Sequence, residues 1–224
     1  MQAVILAAGK GTRMGDLTKN TPKPLLKIGN KTILEQTLES LPEEIEEVIL
    51  VIGYLGEQIK NLIGGSFAGK KVTYVEQKEL KGTADAIFEC KDLLRGRFLV
   101  LMGDDLYNKR DLENLIKSPL AILVSEVKEE SLILNAALVR VNAGELAGIV
   151  EQGLPRGGTV LNTGAYVLNT DLFKYPMVSA GNPADEFGLP QTFLQMVKDG
   201  AKFAVIPAEK WHKIASPEDL KLDN

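Results

Sequence analysis

One cysteine, one histidine and one tryptophan are all that 224 residues supply of the side chains most used for disulfides, metal clusters and large aromatic platforms. A single thiol cannot form an internal disulfide or a cysteine-based zinc site, and it fits a reducing compartment. Cys90 sits in the helical-looking stretch "ADAIFECKDLL" and reads as a buried structural thiol rather than a nucleophile. Long hydrophobic runs are missing too: the longest are strand-sized, and Met1 leads straight into one of them with no signal-peptide pattern. The expectation is a soluble, cytoplasmic protein that makes no use of a membrane. Positive charge is not in surplus, since 26 basic residues face 30 acidic ones for a net charge of -4. Nucleic-acid binding is therefore not expected, and any anion site must be local.

Apolar runs recur at intervals: "QAVILAA" (2–8), "EEVILVIG" (46–53), "KVTYVE" (71–76) and "RFLVLMG" (97–103), each bounded by glycine, proline or charge. Runs that are apolar on both faces suit central strands covered by helices on both sides. The helical patterns "ILEQTLESL" (33–41), "LGEQIKNLI" (55–63) and "TADAIFECKDLL" (83–94) fall between them. That alternation predicts a single α/β domain on a doubly wound, Rossmann-like, mostly parallel sheet. Ligands of such sheets bind at the carboxyl ends of the strands, which directs attention to residues 9–24, 53–54, 77–82 and 103–106. Further on, "AILVSEV" (121–127), "NAALVRV" (135–141), "ELAGIVEQ" (145–152) and "GAYVLN" (164–169) crowd together as strands that extend the sheet and form a small β-rich subregion. A last helix, "LPQTFLQMVKDG" (189–200), precedes "KFAVIPA" (202–208).

The loop after the first run, "LAAGKGTRM" (6–14), fails two phosphate-loop patterns. A P-loop starting at Gly9 needs glycine where Met14 stands, and a G-x-G-x-x-G fingerprint through Gly9 and Gly11 needs its third glycine at the same place. What remains is a backbone that a phosphate or base can approach closely, with Arg13 and Lys23 adding charge. "Thr-Pro-Lys-Pro" stiffens the chain around Lys23, because each proline fixes its own φ and restricts the residue before it. Lys19 and Lys27 read as solvated.

In order and spacing, "LAAGKGTRM…TPKPLLKIGNKTIL" (6–34) resembles the signature of the sugar-1-phosphate nucleotidylyltransferases, which make nucleoside-diphosphate sugars. The resemblance continues through "EQKELKGTADAI" (76–87), "LMGDD" (101–105), "GIVEQ" (148–152), "NTGAYVL" (162–168) and "W…SPEDL" (211–220). It implies attack of a sugar 1-phosphate oxygen on the α-phosphorus of a nucleoside triphosphate, with Mg2+ present and pyrophosphate released. It also implies a nucleotide-binding half (1–107) and a sugar-phosphate-binding half (108–224). A phosphate monoester has its second pKa at about 6 and is largely a dianion at pH 7, so no strong general base is required. The scarcity of histidine and cysteine suits such a mechanism of positioning and charge neutralisation.

On the nucleotide side the resemblance implies Ala8 and Gly9 against the base, with Gly11, Thr12, Gly82 and Thr83 around the nucleotide. Gln77 would read the base edge with an amide that both donates and accepts, and together with "GTADA" it looks like the uridylyl- and thymidylyl-transferring members. UTP or dTTP is the expected donor. Arg13, as a planar fork, and Lys23, as a point charge, would hold the triphosphate. Asp104 would carry Mg2+ as a hard carboxylate at the end of a buried strand, introduced by Gly103 so that a ligand can come close. The competing role for such an aspartate, capping the helix that follows, suits Asp111 better. Asp105 is expected to point elsewhere, because side chains alternate along an extended chain. On the sugar side Glu151, Asn162 and Thr163 would face hydroxyls, with Gly164 leaving room.

Two positions depart from the family pattern. Members usually carry a lysine after the glutamate of "VEK", where Gln152 stands, and a metal-binding aspartate in "W-x-D-x-G-T-P", where Lys213 stands in "WHKIASP" (211–217). A protonated lysine cannot coordinate Mg2+. The two changes are opposite in charge, and the expectation is that Lys213 reaches the phosphates and takes over neutralisation, leaving Asp104 as the only carboxylate on the metal. His212 and Trp211 have no partners for a zinc site, and Trp211 reads as a packing anchor. Two other readings stay open: a cytidylyltransferase acting on an alditol phosphate or phosphocholine, and a non-catalytic nucleotide-sugar sensor. Intact Asp104, Arg13 and Lys23 argue against the sensor. Self-association is left open as well.

Overall fold

The structure is a computed structural model that describes residues 1–126, 137–150, 159–181 and 185–221. Along the chain run β1 (Gln2–Ala7), β2 (Lys27–Ile28), β3 (Lys31–Thr32), α1 (Ile33–Glu39), β4 (Glu47–Ile52), α2 (Gly56–Ile63), β5 (Ser66–Phe67), β6 (Lys70–Glu76), α3 (Thr83–Phe88) and β7 (Arg97–Met102). Then follow β8 (Leu106–Tyr107), α4 (Lys109–Leu115), β9 (Ala121–Ser125), β10 (Leu138–Asn142), β11 (Glu145–Val150), β12 (Thr159–Asn169), α5 (Leu189–Lys198), β13 (Ala204–Pro207) and β14 (Trp211–His212). Among the described residues one sheet joins ten strands in the order β10-β11-β13-β9-β12-β7-β1-β4-β6-β5. The four expected central runs are its parallel heart, β7-β1-β4-β6. β12 lies antiparallel on β7 and carries the sheet over to β9, so the whole is mixed.

Alternation along β1 explains the two layers. Ala3, Ile5 and Ala7 face one side, where Leu34 and Leu38 of α1, Ile59 of α2 and Leu112 of α4 cover them. Val4 and the following Ala8 face the other, under Ile87 of α3 and Leu189 and Phe193 of α5. Burying both faces accounts for runs that are apolar throughout rather than at every second residue. The start of α1 is set locally: Thr32 Oγ1 accepts from the Glu35 amide at 3.2 Å, while Glu35 Oε2 accepts from the Thr32 amide at 2.8 Å, a reciprocal capping box.

The chain leaves β1 toward β4 and β6 and then returns past it to β7, so the strand order reverses between β1 and β7. A crevice outside the carboxyl ends of these strands is the expected ligand site of such a sheet. Against β9, the register of β12 shifts between Asn162 and Tyr166, which bulges the "NTGA" stretch beside that crevice. The chain closes with β14 pairing antiparallel to β8, Trp211 opposite Tyr107.

Two local expectations change. The third helix ends at Phe88 rather than near 94, because the amides of Cys90, Lys91 and Leu93 bond three residues back and tighten the chain into successive turns. Asp111 does not cap its helix: Asn108 does, accepting from the Arg110 amide at 2.9 Å. Asp111 lies a turn later, 1% exposed, and accepts from the amides of Glu209 and Lys210 at 3.0 and 3.1 Å, tying the C-terminal segment to α4. Glu151 and Gln152, like parts of the runs 121–127, 135–141 and 145–152, lie outside the described residues.

Candidate active site

Two cavities adjoin at the carboxyl ends of β1 and β7. The first, about 540 Å3, is floored by the loop leaving β1, with Ala8, Gly9, Gly11 and Thr12 on its wall. Gln77, Gly82 and Thr83 line it as well, and so do Lys23 and Asp104. The residues expected on the nucleotide side are thus gathered in one place, Arg13 excepted. Gln77 is 5% exposed, and its Nε2 donates to the Gly82 carbonyl at 3.0 Å and to Asp85 Oδ2 at 2.8 Å, so the orientation of its amide is fixed by two acceptors. The Thr83 hydroxyl accepts from the Leu189 amide at 2.9 Å, joining this wall to the start of α5.

Gly82 could be no other residue. Its φ is 92°, and a Cβ there would lie 2.4 Å from the Phe187 carbonyl oxygen. The bare Cα lets residues 186–188 dock on the segment 81–84, with the Phe187 amide donating to Lys81 and the Ala84 amide to Phe187. Gly103 and Gly164 serve differently from expectation. The space they leave is filled by protein, the Leu6 carbonyl 2.9 Å from a Cβ on Gly103 and Met102 Cγ 2.6 Å from one on Gly164, so neither is kept bare for a ligand.

Lys23 is 5% exposed on a short turn between Pro22 and Pro24. Its ammonium donates to Asp104 Oδ2 at 2.6 Å and to the Ile214 carbonyl. The Asp104 side chain is 36% exposed and faces the first cavity. Among the described residues no three His, Cys, Asp or Glu side chains gather into a self-sufficient metal site. One accessible carboxylate beside a space for phosphates suits Mg2+, which is commonly held by one or two carboxylates together with substrate oxygens.

The second cavity, about 750 Å3, shares Gly82, Thr83, Met102 and Glu186 with the first. Asn162, Thr163 and Gly164 are on its wall, as expected, and so is Lys213. Arg13, expected beside the triphosphate with Lys23, stands here instead, because the chain turns at Gly11 (φ 63°, ψ 33°) into a 3-10 stretch that carries it toward Lys213. The Thr163 hydroxyl is not offered to a ligand: it is buried and donates to the Leu123 carbonyl at 2.8 Å. Asn162 is braced by neighbours, its Oδ1 accepting from the Gly164 amide at 3.0 Å and its Nδ2 lying 2.7 Å from the Tyr166 hydroxyl.

Asp105 is absent from the first cavity, as expected; it borders the second, beneath the tail and beside Lys213. It accepts from the Ile214 amide at 3.0 Å and from Trp211 Nε1 at 3.3 Å. Burial, and then the neighbouring Asp104 charge, push its carboxyl up to about 7 against the pull of the Ile214 amide and of Lys23 and Lys213. Burial is also the main reason the Lys213 ammonium lies below the usual lysine range; Asp105 opposes the shift, while Arg13 and Lys23 add to it. Glu186, in the wall common to both cavities, was not singled out from sequence. Nothing near it forms a pattern, and only the docking of its segment on Gly82 brings it to the site.

An α/β sheet with a strand-end crevice, a glycine-walled loop and a clustered set of cations and carboxylates defines a phosphate-handling nucleotide protein. The chain belongs to the nucleotidyl transferase family, whose model matches residues 2–221. It is 28% identical to the UTP–glucose-1-phosphate uridylyltransferase AglF of Haloferax volcanii, over 98% of this chain and 93% of that protein. It is 27% identical to the bifunctional protein GlmU of Methanocaldococcus jannaschii, covering 98% of this chain but spanning about half the length of that relative, 52%. A crystal structure of a UDP-glucose pyrophosphorylase complexed with UDP-glucose shares the fold, with a TM-score of 0.82 at 20% identity over 98% of this chain and 95% of that one. No helix among the described residues is long and apolar enough to cross a membrane.

Proposed function

We propose that the protein transfers a nucleotidyl group from a nucleoside triphosphate to a sugar 1-phosphate. The observation that carries this reading is the pair of adjoining cavities, Lys23 and Asp104 on one wall and Arg13 and Lys213 on the other. The first cavity would hold the nucleotide, its base against Ala8, Gly9 and Gln77. The second would hold the sugar 1-phosphate, with Asn162 and Gly164 on the sugar side; Glu151 would belong there too. The two halves, 1–107 and 108–224, would then supply donor and acceptor sites, with Arg13 crossing from the first half into the second site.

In the reaction an oxygen of the sugar phosphate attacks the α-phosphorus, a new P–O bond forms, and the bond to the β-phosphate breaks to release pyrophosphate. The acceptor is already a dianion, so the chain has to align and neutralise rather than deprotonate. Lys23 would neutralise the triphosphate, and Arg13 and Lys213 the acceptor phosphate, the lysine in place of the cation absent at Gln152. Asp104 would hold Mg2+, which when bound supplies charge neutralisation across the phosphates. UTP or dTTP is the donor that Gln77 favours. A lone buried thiol and a triphosphate substrate both suit the cytoplasm.

Pyrophosphate release tests the reading, measured with Mg2+ across the common nucleoside triphosphates against sugar 1-phosphates, alditol phosphates and phosphocholine. Turnover with UTP or dTTP and a hexose 1-phosphate is expected, and Asp104→Asn should lower it about a hundredfold or more. Turnover only with CTP and an alditol phosphate or phosphocholine would replace the acceptor assignment. Nucleotide binding without turnover on any acceptor would favour a sensor.

A further inference from the structure

Asp105 is one residue beyond Asp104, yet its carboxylate is spent on the tail. The residue is 8% exposed, and its two oxygens accept from the Ile214 amide and from Trp211 Nε1. Ile214 is 1% exposed, and its carbonyl accepts from Lys23. The amide and carbonyl of a single residue are therefore gripped from two sides, by the carboxylate that follows Asp104 and by the ammonium that pairs with Asp104. Lys213 sits between the two residues that Asp105 anchors, on the wall of the second cavity. Asp105 is itself fixed, since its carbonyl accepts from Thr37 Oγ1 at 3.1 Å.

A buried carboxylate carries a large desolvation cost, so packing alone is a poor reason to place one here. Its two hydrogen bonds to the tail give a reason for it. Such bonds matter for a tail whose strand pairing, among the described residues, is Trp211 with Tyr107 and His212 with Leu106. We infer that Asp105 is a positioning residue: by holding Ile214 and Trp211 it sets where Lys213 meets the acceptor phosphate. The inference rests on the nucleotidyl-transfer reading above. A displacement of about 1 Å at such a distance from the chemistry can cost about a hundredfold in rate, so the anchor has leverage.

Asp105→Ala, Asp105→Asn, Lys213→Ala and the double variant Asp105→Ala/Lys213→Ala test it. Asp105→Ala should raise KM for the sugar 1-phosphate about tenfold and leave KM for the nucleoside triphosphate within about twofold, while Asp105→Asn, which keeps an acceptor for Ile214, recovers most of the loss. Once Lys213 is alanine, removing Asp105 should cost less than about twofold more. Additive losses, or equal rises in both Michaelis constants, would mean that Asp105 merely supports the fold. Should Asp105→Ala fail to fold, Trp211→Phe removes one donor alone and should raise the same KM by a smaller factor; no change in it overturns the inference. Amide exchange at Ile214 reads the anchor without turnover: Asp105→Ala should speed it about tenfold, and unchanged exchange overturns the anchor whatever the substrates are. A wild type that turns over no sugar phosphate, with exchange responding as expected, would remove the functional reading and leave the anchor standing.

Discussion

Lys23 Nζ stands 2.6 Å from Asp104 Oδ2, and the same ammonium donates to the carbonyl of Ile214 in the tail. The cation assigned to the triphosphate and the carboxylate assigned to the metal are thus partners within the folded chain. Lys23→Met should lower turnover by about a hundredfold or more, the loss seen when one aligned donor to a developing charge is removed. It should also strengthen Mn2+ binding to the protein alone by several-fold, because a positive charge beside Asp104 has gone. Electron paramagnetic resonance with Mn2+ reads the second effect, and weaker metal binding would show that Lys23 does not compete at that carboxylate.

Gly82→Ala should be disruptive. The position has φ 92°, and a methyl group there meets the Phe187 carbonyl. A cost of about 2 kcal/mol or more is expected from backbone strain and the collision together. Because Glu186 borders both cavities and Gly82 and Thr83 line the first, nucleotide affinity should fall along with thermal stability. A variant with unchanged melting temperature and unchanged nucleotide binding would sink this account of the wall.

How much of this was legible depends on the range of the interaction. β1, β4 and β7 were plain in the sequence because burial on both faces makes them continuous apolar runs, while β6, with only Val72 buried, showed as a shorter run. Ala8, Gly9, Gln77 and Asp104 were plain as well, since they stand just past those strands, whereas Glu186 was not. What the sequence could not show is which contact wins among several. Asp111 has the chemistry of a cap, but Asn108 sits where the helix begins, and the amides of Glu209 and Lys210 claim Asp111 from far along the chain. Gly103 and Gly164 read as room for a ligand until Leu6 and Met102 are seen to fill it. Thr163 offers a hydroxyl in sequence that the Leu123 carbonyl takes in space.

Acid should loosen the tail before it unfolds the sheet. For Asp219, burial alone would raise the carboxyl, but the amides of Ala215 and Ser216 and the Ser216 hydroxyl outweigh it and hold the group below the ordinary aspartate value. A carboxyl lowered in the folded state contributes stability that is fully present above its unfolded pKa, about 3.9, and is lost as pH falls through the folded value. Asp219→Asn should therefore cost about 1 kcal/mol near pH 7, as expected for a lost cap, with the gap closing toward pH 3. Melting curves across that range, with Trp211 fluorescence as a local probe, check it; a gap independent of pH would contradict the assignment.

Cys90 should be inert in the folded protein. It is fully buried, its Sγ donates to the Ala86 carbonyl at 3.4 Å, and burial pushes its thiol up to about 12. A disulfide reagent at pH 8 should titrate no thiol in the native protein and one after denaturation. Rapid native labelling would mean that the face of the sheet under α3 opens readily.

The most direct measurement of the central claim follows the phosphorus itself. UTP or dTTP labelled at the α-phosphate is incubated with a hexose 1-phosphate, Mg2+ and the protein, and the products are separated. The account predicts that the label appears in a nucleoside-diphosphate sugar while unlabelled pyrophosphate is released in equal amount, and that Lys213→Ala raises the hexose 1-phosphate concentration required. Label appearing in free nucleoside monophosphate, or no labelled sugar nucleotide with any acceptor while nucleotide still binds, would contradict it.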